Sequence, residues 1–150
     1  LREIKVDATG ASETRVITSG DSFTSDILFA GGRIYTLSGR VIDAASGTLL
    51  QSYVLPTNNT FGGSGFPRAM LPDSRTNRAY FLVESFPNSE MQLHVFNLQT
   101  ATYVGAWRVP LGTNNNSSFI ATASSFVAWG ADQLAFRASD DRIYLLEAPK

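Results

Sequence analysis

The sequence predicts an all-β fold built from repeated antiparallel units of about four strands each. Its apolar runs are short, rich in β-branched and aromatic residues, and separated by clusters of Gly, Asn, Asp, Ser and Pro, as is typical of strands. No window keeps the 3.6-residue apolar period of a helix. Two segments also share one register, since a proline follows Asp43 and Asn97 by thirteen positions, at Pro56 and Pro110. A recurring span of this kind indicates stacked copies of one supersecondary unit.

The clearest unit begins with a hairpin around Gly31-Gly32, where both glycines can adopt a positive φ. The same hairpin pattern returns in residues 126–136, which aligns Ile27 with Val127 and Ile34 with Leu134 at an offset of 100 residues. A middle copy in residues 69–83 divides this offset into two units of roughly 50 residues each.

Each complete unit is predicted to contain four strands that follow one another along the sequence. A third strand with its turn and an outer strand precede the first complete unit, and three strands follow the second. About thirteen strands are expected, at residues 3–10, 14–18, 27–30, 33–37, 40–43, 48–55, 68–71, 78–84, 92–97, 102–109, two runs within 126–137, and 142–147.

Four-stranded antiparallel units of this length are the blades of a β-propeller. Residues 32–35, 39–43, 47–50, 129–137 and 141–145 resemble the C-terminal part of bacterial extracellular or cell-envelope propeller repeat proteins, loosely related to YVTN and quinoprotein-like propellers. The resemblance implies one partial propeller domain over residues 1–150, with about three to three and a half blades. Blade boundaries are expected near 20–25, 57–66 and 111–118. Only two tryptophans are present, so no quinone cofactor is expected.

An incomplete ring predicts partners, because a propeller closes with about four to eight blades. An open blade face of about 400 Å² would forgo about 10 kcal/mol at about 25 cal/mol/Å². The expected partners are the remaining blades of the same parent chain or another copy of this chain. The start at Leu1, without a methionine, agrees with a removed leader or a piece of a longer protein. An ordinary β-sandwich is the alternative architecture.

The composition excludes several classes of function. A net charge of −1 offers no basic face for a phosphate backbone, so no nucleic-acid partner is expected. The absence of cysteine removes disulfides, thiolate metal sites and cysteine nucleophiles. No apolar run approaches the ~20 residues that span a bilayer, so no membrane insertion is expected.

Few residues suggest reaction chemistry. His94 is the only histidine, so a two-histidine zinc site is impossible, and the residue is expected to be half exposed on a strand. Asp140 and Asp141 are adjacent and are expected to shape a hairpin rather than to act as an acid–base pair. No nucleophile elbow, zinc helix or phosphate loop is present, and no metal or cofactor is expected.

The candidate ligand-binding residues lie in two long loops that a propeller would place on one rim. Asparagine amides beside aromatic rings suit a neutral polar ligand such as a glycan. The alternative is that Gly and Asn only supply the positive φ values that long loops need. The candidates are Asn58, Asn59, Phe61, Phe66, Asn114, Asn115 and Asn116.

The sequence therefore favours a non-enzymatic structural or binding module of a secreted or cell-surface protein, which mediates protein or glycan interaction. The alternative is a part of a propeller-type polysaccharide hydrolase or lyase, for which Arg68, Tyr80 and Glu84 are the best local candidates. Aromatic residues that recur in equivalent strands are expected to pack between blades rather than to form a ligand cage; they are Tyr35, Tyr80, Phe81, Trp129 and Phe136.

Overall fold

A computed structural model describes residues 2–17, 26–55, 64–86, 90–111 and 123–149 of the chain. These residues form strands and turns and contain no helix, which confirms the predicted all-β class. The thirteen strands of this part are β1 (Arg2–Asp7), β2 (Gly10–Val16), β3 (Ile27–Ala30), β4 (Arg33–Thr36), β5 (Arg40–Asp43), β6 (Leu49–Ser52), β7 (Ser64–Asp73), β8 (Arg78–Phe86), β9 (Glu90–Asn97), β10 (Tyr103–Val109), β11 (Ala123–Trp129), β12 (Gln133–Ala138) and β13 (Ile143–Glu147).

The strands form four antiparallel sheets in chain order. Sheet 1 contains β1 and β2, sheet 2 contains β3 to β6, sheet 3 contains β7 to β10, and sheet 4 contains β11 to β13. Within each sheet every strand pairs with its neighbour in sequence, so each sheet is a meander. The Gly31-Gly32 turn has φ values of 57° and 74°, the left-handed geometry that favours two glycines in a tight hairpin.

Side-chain hydrogen bonds confirm the predicted repeat of the turn that joins the third and fourth strands of a unit. The Oδ1 atom of Asp43 accepts a 2.7 Å hydrogen bond from the backbone N–H of Ser46. The Oδ1 atom of Asn97 accepts a 3.0 Å bond from the backbone N–H of Thr100. A short polar side chain that can satisfy its own turn is the physical reason for an aspartate or asparagine at this position.

The predicted alignment of the β3–β4 hairpin with the β11–β12 hairpin is wrong by one residue in the first strand of each hairpin. The β3–β4 hairpin has a two-residue turn, whereas Trp129 and Gln133 enclose three turn residues between β11 and β12. Phe126 packs in the core between sheets 3 and 4, on the face that corresponds to Ile27, so these two residues are equivalent. The predicted equivalence of Ile34 with Leu134 agrees with the faces on which they lie.

Sheets 2, 3 and 4 pack face to face in chain order. One apolar cluster joins sheet 2 to sheet 3, and its aromatic centre is formed by Tyr53, Phe81 and Phe96, with ring centroids 5.4 to 5.5 Å apart. A second cluster joins sheet 3 to sheet 4 and includes Tyr80, Leu82, Phe126 and Phe136. Sheet 3 is therefore covered on both faces.

Burial on both faces explains the sequence of β8. Phe81 and Val83 point toward sheet 2, whereas Tyr80 and Leu82 point toward sheet 4. Because successive side chains of a strand alternate between faces, a strand with two buried faces is apolar throughout instead of alternating. Four of the five predicted packing aromatics are buried as expected; the exception is Trp129, which is 58% exposed on the outer face of sheet 4.

Sheet 1 contacts sheet 2 through polar and apolar groups. The guanidinium of Arg15 donates to the carbonyl oxygens of Ala44 and Ala45 in the turn before β6. Ile17 packs against Gly47 in the same turn, with its Cγ1 atom 3.2 Å from the position of a Cβ atom built on that glycine. In the described part of the chain the four sheets do not close into a barrel, and the propeller arrangement stays a prediction.

Candidate functional site

The first strands of three successive sheets line one open cleft. Strands β3, β7 and β11 each contribute to its wall, and β7 also contacts β11 directly. The cleft has a volume of about 650 Å³. Its lining residues are Asp26, Ile27, Leu28, Leu37, Arg68, Ala69, Met70, Ala123, Ser124, Ser125, Phe126 and Val127. It is therefore the place where three sheets bring polar and apolar side chains together.

Two of the three strands carry a β-bulge where they face the cleft. On β7, Pro67 pairs with Val83 and Ala69 with Leu82, so Arg68 is the extra residue. On β11 the register shifts between Ser124 and Phe126, so Ser125 is the extra residue. A bulge re-aims the side chain of the extra residue. Both bulged residues line the cleft.

Ser125 adopts a left-handed backbone with a φ of 54°. This conformation is uncommon for a residue with a Cβ atom, and non-glycine residues in it cluster at functional positions. The Oγ atom of the preceding Ser124 contacts the carbonyl oxygen of Arg137 at 3.4 Å. Apolar residues of β3 and β11 form much of the cleft wall, and the two serines add hydroxyl groups to it.

Arg68 and Glu84 form an ion pair across β7 and β8. The Nε and Nη2 atoms of Arg68 both lie 2.6 Å from the Oε2 atom of Glu84. The side chain of Glu84 is only 16% exposed, and a guanidinium that holds a partly buried carboxylate compensates its charge. The structure thus brings together two of the three residues that sequence analysis proposed for an enzyme.

Tyr80, the third of these residues, lies elsewhere. It is four positions from Glu84 on the same strand, which corresponds to about 13 Å at about 3.3 Å per residue. Its ring is buried between sheets 3 and 4, and its hydroxyl lies 3.2 Å from the Oγ1 atom of Thr76 in the β7–β8 turn. The three candidates therefore do not converge on one reaction centre.

Of the residues expected to bind a ligand, one is described by the structure. Phe66 was predicted to lie in one of the two long loops, but strand β7 begins at Ser64, so Phe66 lies on that strand and pairs with Glu84. Its side chain is 54% exposed. The other expected residues lie outside the described residues; they are Asn58, Asn59, Phe61, Asn114, Asn115 and Asn116.

The prediction that His94 is half exposed is wrong, because the residue is 1% exposed within sheet 3. Its Nε2 atom lies 3.1 Å from the Oε1 atom of Gln92, and its Nδ1 atom lies 3.3 Å from the hydroxyl of Tyr103. A carbonyl oxygen only accepts, so Nε2 donates to Gln92 and Nδ1 accepts from Tyr103. Burial lowers the pKa of His94, which favours this neutral imidazole.

Asp140 shapes the β12–β13 hairpin, as the sequence predicted. Its carboxylate accepts a 3.1 Å bond from the backbone N–H of Arg142 and a 2.7 Å bond from the hydroxyl of Tyr144. The neighbouring Asp141 has a φ of 63° and pairs with Arg137 at 2.9 Å. The two carboxylates therefore serve the turn and are held by different partners.

The described residues contain no group of three or more His, Cys, Asp or Glu side chains placed to bind a metal ion. Within the same ranges, no helix has the length and apolar character needed to cross a membrane.

The fold and the cleft define a class of all-β protein in which antiparallel sheets of three and four strands pack in chain order. Comparison of the chain with protein-family models, with curated proteins and with solved structures found no significant match.

Proposed function

We propose that the chain is an arc of β-propeller blades that acts as a non-enzymatic interaction module of a secreted or cell-surface protein. The observation that supports it is the cleft between β3, β7 and β11. In a propeller the first strand of every blade lies nearest the axis, and ligands bind where those strands meet. The same three strands are edge strands of their sheets, which agrees with that position.

The chemistry of the cleft suits a neutral polar ligand with an apolar face, such as a glycan. Ile27, Leu28 and Val127 supply partly exposed apolar surface, and Ser124 and Ser125 supply hydroxyl groups. The charge of Arg68 is already compensated by Glu84, so the cleft offers no free cation for a phosphate or carboxylate. Sugar rings combine an apolar face with hydroxyl groups and match this mixture.

The test is a glycan array followed by titration of the best binder against the intact chain. We expect saturable binding that weakens about fivefold or more in the Ser125→Ala and Val127→Ser variants, because hydroxyl and apolar contacts of residues that line the cleft each contribute about 1 kcal/mol or more. Val54→Ser is the matched control, since Val54 is a highly exposed residue that follows β6 and is absent from the cleft. Equal binding by all three variants would place the ligand elsewhere and contradict the proposal.

A further inference from the structure

A second cleft opens between sheets 2 and 3, where β3 turns into β4, and is called the Arg33 cleft below. Its volume is about 620 Å³, which lies within the range of small-molecule sites. Sheet 2 forms one wall, and sheet 3 forms the other near its β7–β8 and β9–β10 turns. The Arg33 cleft shares no lining residue with the cleft between β3, β7 and β11, so the two are separate surfaces.

Arg33 is the one charged residue among the described residues that line the Arg33 cleft. It begins β4, is partly buried, and makes no ion pair with a described residue, whereas Arg15 and Arg68 both pair with glutamates. Asp43 lies opposite Arg33 on β5, but it does not line the cleft. Its Oδ1 atom instead accepts bonds of 2.7 and 2.8 Å from the backbone N–H and the hydroxyl of Ser46. The cleft therefore contains a positive charge without a carboxylate beside it.

The hydroxyl of Tyr35 lies close to this charge. Tyr35 is two positions after Arg33 on the same face of β4, lines the cleft, and is only 3% exposed. Burial raises the pKa of Tyr53, nearby Tyr35 raises it further, and the charge of Arg33 lowers it, so the three side chains lie near one another. Within the part of the chain that the structure describes, the Tyr35 hydroxyl makes no hydrogen bond. It is thus available to donate to a ligand beside Arg33.

The next interface repeats this arrangement at the same place in the fold. A cleft of about 180 Å³ between sheets 3 and 4 is lined by Arg78 and Tyr80. Arg78 begins β8 as Arg33 begins β4, and each arginine lies opposite the residue that leads the next turn. Tyr80 packs toward sheet 4 as Tyr35 packs toward sheet 3. The two clefts are therefore equivalent positions of the repeat.

The two equivalent clefts differ in their negative charge. Asp132 lines the cleft between sheets 3 and 4 together with Arg78. The residue equivalent to Asp132 in sheet 3 is Asn77, because their carbonyl oxygens accept the corresponding backbone bonds from Ala148 and Leu98, at 2.8 and 3.0 Å. The chain thus supplies a carboxylate at one interface and an amide at the other. A carboxylate from outside would restore the pattern in the Arg33 cleft.

We propose that the Arg33 cleft binds a small organic monoanion through its carboxylate. The planar guanidinium of Arg33 donates to both carboxylate oxygens, and the Tyr35 hydroxyl donates to one of them. One positive charge balances one carboxylate. Leu50 and Pro72 also line the cleft and contact the apolar part of the ligand. The site is independent of glycan binding at the cleft between β3, β7 and β11, so either proposal can fail alone.

The probe is benzoate, which carries its carboxylate on an apolar ring. It is titrated into the intact, isotope-labelled chain, and the side-chain Nε–H signal of Arg33 is followed by NMR after assignment from the Arg33→Gln spectrum. We expect a saturable shift with a dissociation constant below about 10 mM. Benzyl alcohol has the same ring without the charge and should bind at least about tenfold more weakly. Inorganic phosphate should also bind more weakly than benzoate, since it has no apolar part.

Variants locate the site, with binding measured from the relaxation of the benzoate signals. Arg33→Gln should weaken binding at least about tenfold, and Tyr35→Phe about fivefold. Arg78→Gln is the matched control, since it makes the same change at the equivalent position, and it should bind normally. Ser74→Asp places a carboxylate in the cleft wall and should weaken binding at least about tenfold by competing for Arg33. This variant decides the matter if circular dichroism shows that Arg33→Gln has lost its fold.

Three results would overturn the proposal. The first is no saturation at about 50 mM benzoate. The second is equal binding by folded Arg33→Gln and Arg78→Gln, or unchanged binding by Ser74→Asp. The third is binding of benzyl alcohol or phosphate as tight as that of benzoate, since a carboxylate on an apolar body would then not be what the cleft recognises.

Discussion

The hydroxyl of Tyr53 donates a 2.9 Å hydrogen bond to the carbonyl oxygen of Leu98, and this bond links sheet 2 to the β9–β10 turn of sheet 3. The same carbonyl accepts a 2.8 Å bond from the side-chain amide of Gln51. The ring of Tyr53 packs against Phe81 and Phe96. One buried side chain therefore joins two sheets by a polar contact and an apolar contact together.

Tyr53→Phe should reduce the free energy of unfolding by about 1 kcal/mol, the usual net contribution of a hydrogen bond. The cost stays modest because Gln51 still satisfies the Leu98 carbonyl. Urea denaturation followed by circular dichroism measures it. Tyr80→Phe is the comparison, since its hydroxyl makes a longer 3.2 Å contact with the hydroxyl of the partly exposed Thr76 and should cost less. A larger loss in Tyr80→Phe would contradict the assigned importance of the Tyr53 bond.

The same substitution should change the response to alkali. Burial raises the pKa of Tyr53 to about 12 from an ordinary value of 10.0. The folded state thus resists ionisation that the unfolded state undergoes, and stability falls as the pH rises from about 10 to about 12. Tyr53→Phe should lose less stability than the wild type over this window, as measured by thermal unfolding at each pH. Identical alkaline profiles would show that Tyr53 ionises as freely in the folded chain as in the unfolded one.

His94 should make the chain sensitive to mild acid. Burial lowers the pKa of its imidazole below the ordinary value of 6.5, so the unfolded state takes up the proton first as the pH falls. The free energy of unfolding should therefore decrease below about pH 6.5, and His94→Gln should flatten the profile between about pH 7 and pH 5. Carboxyl groups ordinarily titrate near pH 4, so they contribute little to the change in stability between about pH 7 and pH 5. A wild-type profile that is already flat would mean that His94 is protonated without cost.

Gly39 should be far less tolerant of a side chain than Gly31. Both have a positive φ, of 87° and 57°. A Cβ atom on Gly39 would lie 2.3 Å from the carbonyl oxygen of Tyr53, whereas one on Gly31 would have no neighbour within 4 Å. Gly31→Ala should cost about 1–2 kcal/mol from backbone strain alone. Gly39→Ala should cost at least about 2 kcal/mol more because its Cβ atom would overlap a carbonyl oxygen, and equal midpoints in urea would contradict the close approach of Gly39 to the Tyr53 carbonyl.

Sequence analysis predicted the strands because their signals are local. The glycine pair at Gly31 and Gly32 marks a turn, and the matched side chains of Asp43 and Asn97 mark another, whatever the strands pack against. The apolar run of β8 likewise predicts a strand, and its continuity reflects the two sheets that cover it. The all-β class and the order of the strands follow from signals of this kind.

The features of the candidate site depend on partners that are distant in sequence. The bulges at Arg68 and Ser125 arise from the register with β8 and β12, and a single strand carries no sign of them. The burial of His94 follows from its position in a sheet covered on both faces, and the cross-strand Tyr103 satisfies it. The offset of 100 residues failed in the first strand because the two hairpin turns differ by one residue.

The central claim is that the first strands converge while the later strands spread apart, and pulsed electron paramagnetic resonance tests it most directly. The chain has no cysteine, so pairs of introduced cysteines accept spin labels cleanly. The inner pair is Ile27→Cys with Val127→Cys, and the outer pair is Leu49→Cys with Ile143→Cys, all at exposed positions. A radial arrangement predicts a clearly shorter distance for the inner pair. Equal distances, or a shorter outer pair, would contradict the arrangement of the sheets as propeller blades.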